Sequence, residues 1–397
     1  MSAQFASRKI RDTDDARHGA STLSTGGLLI LAFGTFTLGI DGFVLAGLLP
    51  QVAGDLGVSV STAGQLTTLF ALTYAISSPV IGALTGRWDR RLLLLVGMVI
   101  FLVGVCLQAM GPGFSAVAIG RVIAALGAAT YQSNAYATAG LLSDDRHRAR
   151  SLAVVAGGSS IALVAGLPFG ILIGQAWGWR GAMWLLVALA ICSTLLIAAL
   201  PSVRAPQVSL RRRLSVLRDR RVLMILLGTV SVLVPSFMVI AYVPTILRTH
   251  GAWVVLAVLV FGVGQVAGTA LVPRLIARRS APTALRVAAL GVSVSAVLLS
   301  ISRGQLWLAL PALLGIGLSV GNAVVPQQHR VFALVPEVAP AALGLNGSAI
   351  YVASATGAGL GGLVLASTSS EWLAPTAVVA GVLAFIIAQV ARPEVHS

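Results

Sequence analysis

Charge is what this chain has least of. Asp, Glu, Lys and Arg make up 10% of its 397 residues, and only 12 are acidic. Soluble domains carry about 25% charged residues, so a set of soluble domains is excluded. Cysteine is nearly absent: Cys106 and Cys192 fall in separate apolar stretches, which reads as packing and not as a disulfide or metal site. The five histidines, His18, His147, His250, His329 and His396, are scattered without metal-ligand spacing. No metal or cofactor is expected. The chain has no His-Glu-x-x-His and no phosphate-cradling loop ending in Gly-Lys-Ser/Thr, which excludes an ATP-driven pump in one chain. No nucleophile with a placed base stands out, and no enzyme is expected.

Apolar residues fill the space instead, at 57% of the chain and a mean hydropathy of +0.93. Runs of 18 or more recur, each able to cross about 30 Å of hydrocarbon. Spans read at 27–50, 61–84, 92–110, 114–140, 151–175, 180–200, 222–247, 252–273, 284–302, 305–331, 342–367 and 371–391. The chain is polar to about Ser24, and the run that follows is too long for a signal h-region, so an uncleaved first helix is expected. Arg121, Arg180, Arg248 and Arg303 apart, the 27 basic residues lie in the tails, loops and helix ends of one side. That is the positive-inside distribution, so both termini are expected in the cytoplasm. The net charge of +15 therefore sets topology, and no nucleic acid is expected as a partner. The basic linker 201–221, with Val208, Leu210, Leu214 and Leu217 near helical spacing, is expected along the cytoplasmic surface on anionic lipid.

The halves look like copies. Leu84 to Arg91 corresponds to Leu271 to Arg278 at an offset of 187, and Gly166 to Leu172 to Gly357 to Leu363 at an offset of 191. The expected fold is an all-α polytopic membrane protein of twelve helices in two pseudo-symmetric six-helix bundles, 27–200 and 222–391, between tails 1–26 and 392–397. Duplication of this kind places a binding site near the midplane, between the halves.

Asp41 is the one carboxylate well inside an apolar span, and Arg121 the one cation at similar depth. An acid in hydrocarbon costs at least ~2.5–3.5 kcal/mol and is functional by default. Asp41 lies nine residues before Pro50 and Arg121 seven after Phe114, so at ~1.5 Å per residue their depths differ by only ~3 Å. Burial disfavours the charged acid while a neighbouring guanidinium favours it, a balance that suits a proton carrier. Thr37, four residues before Asp41, and Gln132, eleven after Arg121, share faces with the pair, with Tyr136 close by. Tyr131, Tyr242, Gln265, Asn322, Asn346 and Tyr351 are further candidates for substrate contacts, with interhelical hydrogen bonding as the plainer reading. In the fifth span Gly166, Gly170 and Gly174 form a smooth strip beside Pro168, which bends the helix. The strip suits close packing or a moving seam.

These residues resemble the major facilitator superfamily, and within it bacterial twelve-helix drug/proton antiporters of the arabinose- or chloramphenicol-efflux type. The likeness lies in Ile40 to Ser59, in the loop Gly82-ALTGRWDRR-Leu92, in Arg121 within Gly120-RVIAALGAA, and in the run from Val164 through Gly178-Trp179-Arg180 to Trp184. It implies alternating access, a conformational loop at Gly82, Arg87, Asp89, Arg90 and Arg91, and a coupling role for Asp41 and Arg121. The sequence departs from the family pattern in places. Gly86 stands at the loop's acidic position and Asp89 where glycine is usual; Ala124 and Ala125 replace a glutamine and a glycine; Pro168 is displaced by one residue; and the loop Arg248 to Trp253 is short. The expected protein is a monomeric inner-membrane exporter of small, partly apolar organic molecules in exchange for protons. A sugar or metabolite exporter, or a non-transporting sensor or scaffold, is the alternative.

Overall fold

In hydrocarbon each backbone N–H and C=O must be satisfied within the segment, so apolar runs of this length become helices. The computed structural model describes residues 24–85, 88–141, 148–202, 219–248, 252–278, 280–334 and 339–390, and these are helical with no strand among them. Arg87, most of the 201–221 linker, and nearly all of both tails lie outside the described residues.

The first half comprises α1 (Thr25–Gly47), α2 (Leu49–Leu56), α3 (Val60–Leu84), α4 (Arg90–Met110), α5 (Phe114–Leu141), α6 (Arg148–Ile161), a π-helical turn (Ala162–Gly166) and α7 (Leu167–Ala198). The second comprises α8 (Arg220–Ala241), α9 (Val243–Leu247), α10 (Ala252–Arg278), α11 (Ala281–Ser302), α12 (Leu306–Leu334), α13 (Ala339–Ser367), a 3₁₀ turn (Ser370–Trp372) and α14 (Leu373–Val390). Ten segments among the described residues are long and apolar enough to span a membrane. One of them, Ala153–Ala198, has 46 residues and breaks at Trp177 and Gly178, where Gly178 takes φ 76°, a conformation cheap only for glycine. It thus makes two passes. The 25-residue α3 has the length of another, and the expected twelve are accounted for.

Several helix starts carry a side-chain cap: Ser24, Ser59, Asp89, Asp219 and Ser280 each accept a backbone N–H of the first turn. The first and seventh spans, expected as continuous, are each broken once. α1 stops at Leu48 and α8 at Tyr242, and a proline, Pro50 or Pro244, opens the short helix that follows. Proline cannot donate to the carbonyl four residues back and its ring crowds that carbonyl. The halves repeat this device, and they repeat their packing. α1 lies on α6 and α7 as α8 lies on α13 and α14, while α4 packs on α5 as α11 packs on α12. Between the halves α3 meets α13, α7 and the π turn meet α10, and α1 meets α8.

Glycine makes two of these contacts possible. Gly166, Gly170 and Gly174 face Ile40 and Val44 of α1 and Leu48 just past its end, and Gly357 and Gly361 face Val234 and Met238 of α8 and Tyr242 just past its end. Both strips therefore sit inside a half. The contact with α10 uses a different face, where Leu163 and Val164 lie against Gly262.

Candidate functional site

Asp41 of α1 and Arg121 of α5 meet in the interior of the first half, both side chains 0% exposed. Arg121 Nη1 donates to Asp41 Oδ1 and Oδ2, each at 3.1 Å, and to the Asp41 carbonyl at 3.2 Å. Its Nε donates to the Leu66 carbonyl of α3 at 3.3 Å. One guanidinium so ties three helices together. The strongest Arg–carboxylate geometry is a fork in which two nitrogens each take one oxygen. Here one nitrogen carries the whole carboxylate, and Nη2 is buried without a hydrogen-bond partner. Desolvating two charges costs several kcal/mol per ion, so a pair held this deep is sensitive to the loss of either member.

The guanidinium also stands on an aromatic ring. Arg121 Cζ lies 4.2 Å from the centroid of Phe70, a cation–π contact strengthened by the dry surroundings. Phe70 and Tyr74 are one helical turn apart on α3, and both face Tyr351 of α13, in the other half. Phe70 and Tyr351 are tilted at 51° with centroids 6.3 Å apart; Tyr74 and Tyr351 stack at 3.7 Å. Tyr351 is also close enough to Tyr136, Asp41 and Arg121 to interact with them electrostatically. Unbroken contact therefore runs from the ion pair to the seam between the halves.

The sequence matches the Major Facilitator Superfamily over residues 31–339, well over half of the chain. The chain belongs to that superfamily. It is 34% identical over 267 residues to a chloramphenicol resistance protein of Streptomyces lividans, covering 64% of this chain and 67% of that one. It is 26% identical over 345 residues to a probable sugar efflux transporter of Mannheimia succiniciproducens, covering 85% of this chain and 86% of that one. In fold it is similar to the Escherichia coli xylose transporter XylE in a partially occluded inward-open conformation, with a TM-score of 0.74 at 16% identity over 93% and 98% of the two chains. The nucleoside transporter NupG gives 0.71 at 13% identity over 92% and 97%.

In this facilitator the other predicted residues scatter around the pair. Gln132 and Ser159 lie beside the Tyr136 hydroxyl, which brings α5 and α6 together beside Tyr351. Thr37 turns to α7 instead, its hydroxyl 3.2 Å from that of Ser193, and Tyr131 donates to the Leu31 carbonyl at 3.1 Å. Tyr242 donates to the Ala358 carbonyl at 2.9 Å and lies against Gly64 of the opposite half. Asn346 accepts from Thr229 at 2.9 Å, while its Nδ2 and the Oδ1 of Asn322 are buried without partners. Gln265 lies along the close α10–α12 contact, its backbone facing Gly317 and Gly321.

The described residues of the loop predicted to be conformational bond to the first half and to the start of the linker. Asp89 caps α4 through the Leu92 N–H at 3.0 Å and hydrogen-bonds Ser202. Arg90 donates to Asn134 at 2.6 Å, and Arg91 to the Ala198 carbonyl. Gly82 lies within the last turn of α3, two residues before its end at Leu84. A separate apolar groove of about 710 Å³, lined by Phe33, Phe36, Gly157, Ile161 and others of α1, α6 and Leu196, shares no residue with the pair. Tyr74 is a polar aromatic inside the second span and legible as a cavity candidate; Phe70 is the site residue that charge and motif do not single out.

Proposed function

We propose that this facilitator is a proton-coupled secondary transporter that exports small, partly apolar organic molecules by alternating access. The observation that carries the reading is the end-on pair of Asp41 with Arg121, sealed from solvent and joined through Phe70 to the seam. An acid kept in a dry interior is functional by default. A proton on Asp41 removes the charge that holds Nη1, so it changes a cation that touches α3 and, through aromatic contact, α13. Substrate and proton then compete for the same conformation. Binding from the cytoplasm favours proton release, and outward opening favours reprotonation and substrate release. Tyr136 and Gln132, which lie beside Tyr351, are the nearest candidates for cargo contacts, with Thr37, Tyr131, Tyr242, Gln265, Asn322 and Asn346 behind them. The reading takes the protein as a monomer in the bacterial inner membrane, both termini cytoplasmic and its basic linker on anionic lipid.

The relative named as a chloramphenicol resistance protein supports drug-like cargo. The one named as a probable sugar efflux transporter, with the amides Gln132, Asn322 and Asn346 inside spans, supports a sugar as the second reading. Purified protein in weakly buffered detergent tests both. Compounds of the right class should release protons from native protein and none from Asp41→Asn. A panel in which sugars alone release protons selects the second reading, and release that survives Asp41→Asn rejects the coupling role.

A further inference from the structure

Arg121 offers five N–H donors. Nε faces the Leu66 carbonyl and Nη1 carries three acceptors of Asp41, whereas Nη2 is buried and unpartnered. Leaving a charged donor unsatisfied in a dry interior is costly. A pair serving packing alone is best satisfied by the fork, with both terminal nitrogens on the carboxylate. Arg121 Cζ stands 4.2 Å from the Phe70 centroid, so the unpartnered nitrogen bonded to it lies beside the aromatic wall that Phe70 forms with Tyr74. The ring lying against that wall belongs to the other half: Tyr351 stacks on Tyr74 at 3.7 Å and tilts against Phe70.

We propose that Arg121 Nη2, Phe70 and Tyr74 form the substrate subsite, that Tyr351 is its internal stand-in, and that the cargo is a planar aromatic compound bearing an uncharged acceptor oxygen. The proposal rests on the reading of the seam as a transport site and adds the chemistry that the site selects. When α3 and α13 part, the Tyr351 ring withdraws and a ring of similar thickness takes its place on Tyr74. An amide or ketone oxygen on that ring then accepts from Nη2. Charge balance sets the preference for a neutral acceptor. Asp41 already neutralises Arg121, so an anion would bring an uncompensated charge. A cation would find both carboxylate oxygens occupied. Tyr74, Tyr136 and Tyr351, the remaining titratable groups at the site, are neutral phenols at cellular pH.

The test titrates full-length protein in detergent with four probes and follows binding by calorimetry. 2-Naphthamide carries both features; 2-isopropylnaphthalene lacks the acceptor, cyclohexanecarboxamide lacks the ring, and 2-naphthoate is the anion. 2-Naphthamide is expected to bind at least tenfold more tightly than each of the others. Arg121→Lys, which keeps the charge and loses the second nitrogen, should weaken it roughly tenfold or more and leave 2-isopropylnaphthalene unchanged. Tyr351→Ala should tighten 2-naphthamide binding by removing the competing ring, an effect that loss of a purely structural contact does not produce. That variant and the probe order in native protein stand even if Arg121→Lys fails to fold. Equal affinities across the probes, no binding of 2-naphthamide, or weaker binding in Tyr351→Ala overturns the proposal. A flat probe series with proton release that still depends on Asp41 removes the subsite and spares the coupling role. Ordered probes without proton release do the reverse.

Discussion

Tyr242, in the second half, lies against Gly64 in the first, so close that a Cβ at Gly64 would collide with its hydroxyl. The hydroxyl is held there by the Ala358 carbonyl at 2.9 Å, and nearby Ser61 donates to the Gly362 carbonyl at 2.6 Å. The same break that ends α8 at Tyr242 thus delivers its side chain into the contact between α3 and α13. Tyr74 and Tyr351 close the seam further along α3.

A larger side chain at position 64 should prop this end of the seam open. Gly64→Leu is expected to raise the reactivity of a cysteine placed at Ser61 toward a membrane-impermeant maleimide, in a background lacking Cys106 and Cys192. Overpacking of this kind costs about 1–3 kcal/mol, so the fold should survive. Unchanged labelling at Ser61→Cys would mean that Tyr242 does not seal this end.

Removing one member of the buried pair should harm the fold more than removing both. Arg121→Gln strands the Asp41 carboxylate and is expected to lower stability by about 3–5 kcal/mol, and adding Asp41→Asn should recover much of that. Thermal unfolding of the four proteins in one detergent completes the cycle. Additive losses would show that the two side chains do not act as a pair.

The glycine strip of α7 separates packing from motion. Gly166 and Gly170 face α1 side chains and Gly174 faces Leu48 just past its end, each at a distance that leaves no room for a Cβ, so Gly170→Val should reduce the yield of folded protein. Gly54→Ala, with nothing within 4 Å, should be silent and serves as the control. A well-folded Gly170→Val protein that binds cargo but does not transport would instead make the strip a sliding surface.

What could be read from the sequence follows from how conspicuous each residue is in hydrocarbon. A lone acid and a lone cation inside apolar spans stand out by cost, and helix rise puts them at one depth. Phe70 does not stand out, because a phenylalanine among apolar neighbours carries no signal of its own; only its position one turn before Tyr74 could have drawn notice. Tyr351 is conspicuous as a polar aromatic, but its partner belongs to the other half, and stacking between halves depends on tertiary geometry. Thr37 shows the reverse. Four-residue spacing aligns it with Asp41, yet an adjacent hydroxyl at Ser193 was enough to engage it. The breaks at Leu48 and Tyr242 were written in Pro50 and Pro244, while the π turn at Ala162–Gly166 left no mark in composition beyond the nearby glycines and Pro168.

The coupling role of Asp41 is tested most directly by transport under an imposed pH gradient. Inverted vesicles energised only by such a gradient should accumulate a compound that releases protons from the purified native protein. Asp41→Asn vesicles with equal amounts of folded protein should accumulate none above background. Accumulation by the Asp41→Asn protein at the native rate would contradict the account.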